Sequence, residues 1–230
     1  MTRLQLVKAL AQFMGTADPA DITTTIGTLV SYQSDLVVAI DTAYEEIQTL
    51  HSAWNWRRKQ GTLTTVASTR TYAYSDISAN CVALIPFVSG FEAKQVLLIS
   101  NHEIIFVPYR AFRGYLDKGT RTSAKPVYYT IHPDETIEFD PTPDDAYTVV
   151  TDYLNKPEVF TADADTPDMP ERFHRIIVYR AAMQMSEFDE NTLRFGMAKA
   201  RYSNLMNELT ESQLPQQDIN IISIGQRNLY

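Results

Sequence analysis

The chain has 230 residues, a net charge of −8 and a sequence pI near 5.0. An apolar content of 44% and a charged content of 21% are typical of a globular protein of one or two domains, and they exclude a disordered chain, a collagen-like repeat and a coiled-coil rod. The acidic balance argues against tight binding to duplex DNA, which requires clustered Lys and Arg side chains, and against binding to anionic membranes.

The N-terminal stretch has a helical pattern. An amphipathic helix is predicted over 3–14, where Thr2 can cap its first turn. Turn-forming residues follow between 15 and 28, and a long helix is predicted to begin near Ser34 and Asp35. Apolar residues of this second helix recur every three or four positions, which puts them on one face: Leu36, Ile40, Ala43, Ile47, Leu50 and Trp54.

The middle stretch, 57–155, changes to short runs rich in β-branched and aromatic residues, separated by turn residues. One segment, 109–118, is instead typical of a short helix that ends at Gly119. The pattern predicts a small antiparallel β domain with one inserted helix. The predicted strands are 62–66, 72–74, 82–88, 96–99, 104–107, 127–132, 136–139 and 147–153.

The last stretch returns to a helical pattern after a proline-containing, acidic linker. One long helix is predicted from Glu171, and a second begins at Asn191 or Thr192; the short turn between them makes the two helices antiparallel neighbours. The first is expected to bury one face, formed by Phe173, Ile177, Ala181, Met185 and Phe188. The second is expected to bury another, formed by Phe195, Ala198, Tyr202, Leu205 and Leu209.

These patterns together predict an α+β fold. Residues 1–56 and 156–212 are expected to form a helical bundle, and 57–155 an inserted antiparallel β domain. Residues 213–230 are expected to form an extended C-terminal arm, because Pro215 blocks continuation of the preceding helix. The arm is too apolar for an inert solvated end. It is expected either to bind in a groove or along a sheet edge of a partner, or to fold back onto the helical bundle of its own chain.

No catalytic or metal-binding motif is present. The four histidines lie too far apart for a helical zinc pair, Cys81 has no CxxC partner, and no glycine-rich phosphate loop occurs. We therefore expect neither enzymatic activity nor a bound metal or cofactor, although catalytic groups can converge from distant positions. An alternative is a small-ligand or enzymatic module in the β domain, where tyrosines could line a cavity or simply form a strand core: Tyr72, Tyr74, Tyr128, Tyr129 and Tyr147.

Two segments carry opposite charge. A basic segment contains Arg110, Arg113, Lys118, Arg121 and Lys125. An acidic segment, 134–171, includes Asp140, Asp144, Asp145, Asp163 and Asp165. Such faces can attract copies of the same chain head to tail, and such contacts close into rings when the rotation allows; a solvated surface is an equally good interpretation.

Arg57 and Arg58 follow two tryptophans, and aromatic residues beside basic ones can stack on nucleic acid. The spacing favours another interpretation. Trp54 continues the buried face of the long helix, and the arginines suit the negative C-terminal end of that helix.

The N-terminal residues lack the long apolar stretch of a secretory signal, and no run of about 18 apolar residues could cross a bilayer. The chain is thus expected to be made in the cytoplasm without membrane attachment. A single cysteine cannot form an internal disulfide, which fits a reducing compartment or a fold that needs no bridge.

The order of several short signatures over about 30–212 resembles the head-to-tail adaptor, or head completion, proteins of tailed bacteriophages. AYEEIQ at 43–48 is followed by WNWRR at 54–58 and by IEFDPTP at 137–143. The most specific signature is DMPERFH-x-IIVYRA at 168–181. None of these signatures is catalytic, and residues 1–30 match the family only loosely.

The resemblance implies a structural virion protein that forms a ring, usually a dodecamer, beneath the capsid portal. Its implied partners are copies of itself, the portal, and a tail protein or second adaptor, with DNA passing through the lumen without specific binding. It implies a place at the neck of the virion and no cofactor. An extended C-terminal segment commonly contacts the portal in this family, so the arm is expected to dock there through Ile219, Ile221, Ile222, Ile224 and Tyr230.

Overall fold

The computed structural model describes residues 1–15, 18–24, 31–51, 54–89, 92–95, 97–100, 102–116 and 122–214. Helices and strands together make an α+β protein. The predicted C-terminal arm lies outside the described residues from position 215 onward, and so do Lys118, Gly119 and Arg121.

Among the described residues, four helices are longer than two turns: α1 (Arg3–Met14), α2 (Ser31–Leu50), α4 (Arg175–Phe188) and α5 (Thr192–Gln213). The first has its predicted bounds, and Thr2 caps it, because its hydroxyl accepts a hydrogen bond from the Gln5 backbone amide. The Asn191 side chain likewise accepts from the Arg194 amide and begins α5. The second helix begins at Ser31, before the predicted start, and ends at Leu50 rather than continuing to Trp54.

The buried faces of these helices form one hydrophobic cluster. Helix α4 packs against α1, α2 and α5. Trp54 is fully buried in the cluster although it lies beyond the end of α2. Two predictions of burial were wrong: Leu50 and Phe188 are exposed. Each is the last residue of its helix, where the neighbouring helices no longer cover the apolar face.

The described strands form an eight-stranded sheet and a separate hairpin. The sheet has the order β1-β10-β6-β7-β8-β9-β2, and β3 also pairs with β10. The hairpin consists of β4 and β5. The strands are β1 (Arg58–Thr64), β2 (Thr71–Tyr72), β3 (Cys81–Leu84), β4 (Pro86–Ser89), β5 (Glu92–Gln95), β6 (Leu97–Ile99), β7 (His102–Phe106), β8 (Tyr128–Ile131), β9 (Ile137–Asp140) and β10 (Thr148–Asn155).

One strand pairing differs from the predicted antiparallel sheet. Strands β7 and β8 are parallel, with Ile105 opposite Tyr128. A crossover segment makes this possible, since parallel neighbours need a long connection. Within it, α3 (Tyr109–Ala111) continues into a π-helical turn at Phe112–Leu116.

Buried residues of the sheet form a second hydrophobic cluster, which includes Leu97, Tyr129, Phe139 and Val149. The linker between β10 and α4 has no long regular element but is tied to α1 by backbone hydrogen bonds. The Arg3 amide donates to the Asp165 carbonyl at 2.8 Å, and the Leu4 amide donates to the Asp163 carbonyl at 3.2 Å.

Candidate functional site

The described part of the chain contains no group of three or more His, Cys, Asp or Glu side chains that could bind a metal ion. Nor does any helix in that part have the length and apolarity needed to cross a membrane. The candidate functional residues are those of the sequence signatures and of the charged surfaces.

His174, in the signature at 168–181, binds the amino group of Met1. The imidazole of His174 is buried and accepts a hydrogen bond from the Met1 amino group at Nδ1, at 2.7 Å. Its Nε2 donates to the Met169 carbonyl at 2.9 Å. Burial lowers the pKa of His174, and the positive Met1 amine acts in the same direction. The ring is thus favoured in its neutral form, with a structural role.

The signature at 54–58 joins α2 to the end of β10. The Trp54 and Trp56 rings stack with centroids 4.5 Å apart, and the Trp54 indole donates to the Ile47 carbonyl. The buried Arg57 guanidinium donates to the Gln48 carbonyl at 3.0 Å and twice to the Asn155 carbonyl, at 3.1 and 2.8 Å. Burial lowers the pKa of Arg57. These contacts support the interpretation of Trp54 as a core residue and of Arg57 as a partner of the helix end.

Two residues of the signature at 43–48 form hydrogen bonds to Glu158 in the linker between β10 and α4. Gln48 donates from Nε2 to the Glu158 carbonyl at 2.9 Å and accepts from the Glu158 amide at 2.7 Å. The Tyr44 hydroxyl donates to the Glu158 carboxylate at 2.8 Å, and burial, with this hydrogen bond, raises the pKa of Tyr44. A solvent-facing ion pair between Lys59 and Asp168 adds a contact from β1.

The signature at 137–143 supplies two buried carboxylates to an ionic cluster at the sheet. The Glu138 carboxylate contacts Arg70 at 2.8 Å and Arg113 at 3.6 Å, and it also contacts the His132 ring. Asp140 lies 3.8 Å from the same Arg70 guanidinium. Because Arg113 also lies over the Tyr109 ring, the cluster attaches α3 to the sheet. Glu138 and Asp140 are both buried, and sequence analysis missed this role because their partners are remote in sequence.

This ionic cluster contains two of the residues predicted to contact a neighbouring subunit, Asp140 and Arg113. Asp140 does not lie on the acidic surface expected for it, because its carboxylate is buried facing Arg70. Arg113 has an ion pair within its own chain. Of the other basic residues, Arg110 is exposed, Lys125 is half-buried, and Lys118 and Arg121 lie outside the described residues.

The remaining predicted acidic residues lie in two places. Asp144 and Asp145 are exposed beside β10, and Asp144 accepts a hydrogen bond from the Tyr147 hydroxyl. Asp163 accepts from the Thr24 hydroxyl at 2.7 Å. Asp165 accepts from the backbone amides of 161 and 162, which lower its pKa. The predicted portal-docking residues Ile219, Ile221, Ile222, Ile224 and Tyr230 lie outside the described residues.

Two tyrosines of the alternative ligand cavity are core residues. Tyr72 packs edge-on against Phe139, with centroids 5.6 Å apart, and its hydroxyl donates to the Thr69 carbonyl. Tyr129 is fully buried and packs against Phe106; burial raises its pKa. These contacts favour the strand-core interpretation of both residues.

The side chains of these signatures thus bind the N-terminus, the linker and the sheet of the same chain. A search of curated proteins finds no match to the chain. A family model described as SU10 adaptor protein matches residues 1–221. This range includes residues 1–30, which the sequence signatures matched to the adaptor proteins only loosely. The chain belongs to this SU10 adaptor family, a family of phage head–tail adaptors.

Proposed function

We propose that this phage structural protein forms a ring beneath the portal, joins the portal to the tail and extends the DNA channel through the neck of the virion. The family match over 1–221 carries the proposal. The structural roles of the signature residues support it, because their side chains bind other parts of the same chain. The proposed ring is a dodecamer, and its further partner is a tail protein or a second adaptor.

The proposed channel function agrees with the charge of the chain. A net charge of −8 makes the protein repel the phosphate backbone, so DNA can pass without being held. We propose that acidic side chains dominate the lumen. Specific binding of the passing DNA has no part in this function.

Two folding units are proposed within each copy: residues 1–56 with 156–212, and residues 57–155. Two separate hydrophobic clusters support this division. A chain in which a short Gly-Ser joint replaces 57–155 is expected to keep helical circular dichroism. Loss of all helical signal would contradict the division.

Contacts between neighbouring copies are proposed to include the opposite charges of the β unit. Arg110 on one copy and Asp144 or Asp145 on the next are exposed and suitable for such a contact. Each surface ion pair contributes only about 0–1 kcal/mol, so several must act together.

The C-terminal arm is proposed to dock on the portal. The test uses the purified portal of the same phage, the full chain and a chain that ends at Gln213, with complexes measured by mass photometry. We expect the full chain to form a ring on the portal, and the shortened chain to keep its melting temperature but lose portal binding. Normal portal binding by the shortened chain would contradict the docking role, and a full chain without portal binding would contradict the adaptor function itself.

A further inference from the structure

Helix α5 presents a face that is unusual for a solvated helix. Over 192–207 it contains three basic residues and no acidic residue. Its inward face is covered by the other helices, where Ala198 is fully buried. Its outward face carries no charge in this range and consists of Leu193, Gly196, Met197, Ala200, Ser203, Asn204 and Asn207. We name this set the α5 face.

Large apolar side chains on the α5 face are open to solvent. Leu193 is 75% exposed and Met197 is 47% exposed. A Cβ atom added to Gly196 would meet no atom within 4 Å. A centre without charged residues inside a polar rim is typical of a protein interface. The exposed edge residues are Lys199, which lies near the Phe195 ring, and Arg201, which lies over the rings of Phe13 and Tyr179.

Helix α2 has the complementary charge. It contains four acidic residues and no basic residue. Asp41 and Glu46 pair with Arg3 and Arg180 of the same chain. The outward side chains recur every three or four residues and carry the other two acids: Asp35, Val38, Thr42, Glu45 and Thr49. We name this set the α2 face.

The α2 face also has an apolar centre. Val38 is 62% exposed, and Val159 of the linker, which is 69% exposed, lines the same shallow groove. The α2 face therefore combines exposed apolar residues with acidic charge only. The α5 face, as far as residue 207, combines them with basic charge at its edge, and the exposed Glu208 and Glu211 follow in the last turns of α5.

The two faces are different surfaces of one molecule. Helix α4 packs against both α2 and α5, which turn their inward faces toward the shared core. The outward faces therefore remain available for two different neighbours. A contact between unlike surfaces is heterologous, and repeated copies of such a contact build a closed ring when the rotation allows.

We infer that the α5 face of one copy packs against the α2 face of the next copy. This inference rests on the proposed ring and names its main contact. The apolar centres, Leu193 and Met197 on one side and Val38 and Val159 on the other, lose water-exposed surface on contact. Lys199 and Arg201 on one copy meet Asp35 and Glu45 on the next, which sets the orientation of the contact.

The test uses two full-length variants that each block one face. Gly196→Trp fills the open space on the α5 face, and Val38→Trp enlarges a side chain that already lies in solvent on the α2 face. Gln60→Trp, at an exposed position of β1, is the matched control. Melting temperatures verify that all three variants fold, and mass photometry with analytical ultracentrifugation measures assembly, alone and with portal.

We expect the wild-type chain and Gln60→Trp to form rings, and each blocked variant alone to be monomeric. A mixture of the two blocked variants should form a 1:1 dimer and nothing larger, because each then keeps one working face. Rings of both blocked variants would overturn the assignment of the faces and leave the proposed ring standing. A dimer of Val38→Trp alone would overturn the heterologous contact in favour of a symmetric one. A wild-type chain that stays monomeric with and without portal would overturn the ring itself and this inference with it.

Discussion

Arg57 joins the helical core to the sheet, so its replacement tests how the two parts of the chain are coupled. The change is Arg57→Met, which keeps the length of the aliphatic stem and removes the guanidinium. Three donated hydrogen bonds are lost, one to the Gln48 carbonyl and two to the Asn155 carbonyl. The neighbouring Arg58→Met makes the same chemical change at an exposed position and is the control.

The expected cost follows from these contacts. A buried carbonyl that loses its partner destabilises the folded state by about 1–3 kcal/mol, and two carbonyls are affected here, the buried one of Gln48 and the partly buried one of Asn155. Part of this cost is offset because the buried guanidinium no longer has to be desolvated, a penalty seen in the lowered pKa of Arg57. We expect the free energy of unfolding to fall by about 2–4 kcal/mol for Arg57→Met, and by less than about 0.5 kcal/mol for Arg58→Met.

Urea unfolding followed by two probes measures the effect. Tryptophan fluorescence reports on Trp54 and Trp56, which are buried beside Arg57, and far-ultraviolet circular dichroism reports mainly on the helices. In Arg57→Met the midpoint should shift to lower urea in both signals. Equal midpoints for the Arg57 and Arg58 variants would refute the reasoning, since they would show that the buried hydrogen bonds add nothing to stability.

Three further predictions concern packing, pH and DNA. Gly61→Ala should lower the free energy of unfolding in urea by about 1–3 kcal/mol, because its new Cβ would lie 2.5 Å from Ile77 Cγ2. Gly196→Ala places its Cβ where no atom lies within 4 Å and should raise the free energy of unfolding by about 1 kcal/mol. Equal effects of the two substitutions would contradict this reasoning. Burial lowers the pKa of His174 in the folded chain, whereas in the unfolded chain this pKa is about 6.5. As the pH falls below about 6.5, the unfolded chain therefore binds a proton before the folded chain does, and the free energy of unfolding decreases. His174→Gln should flatten that part of the curve of melting temperature against pH, and an unchanged curve would count against the role of His174. The free chain should bind duplex DNA only weakly at physiological salt, by fluorescence anisotropy, and strongly salt-dependent sub-micromolar binding would contradict the acidic-channel proposal.

Local features of the chain were predictable from the sequence because their causes lie within a few residues. The bounds of α1 follow from Thr2 at its start and Gly15 at its end, and Gly15 adopts the left-handed conformation that glycine tolerates best. Asn191 begins α5 for the same kind of local reason. Helical spacing also identified most of the buried faces, since a helix repeats its side-chain directions every 3.6 residues. The family resemblance depended on short ordered signatures, which are likewise local.

Tertiary structure decided whatever depends on partners far apart in the chain. Helical spacing placed Leu50 and Phe188 on buried faces, but only the packed helices show where the cover ends. The parallel pairing of β7 with β8 depends on the path of the crossover, which strand propensity does not contain. Asp140 had the sequence environment of a solvated acid, yet it is buried because the fold brings Arg70, the residue before β2, to face it. A carboxylate can be buried only where an opposite charge or hydrogen-bond donors meet it, and the chain folding in three dimensions determines which residues those are.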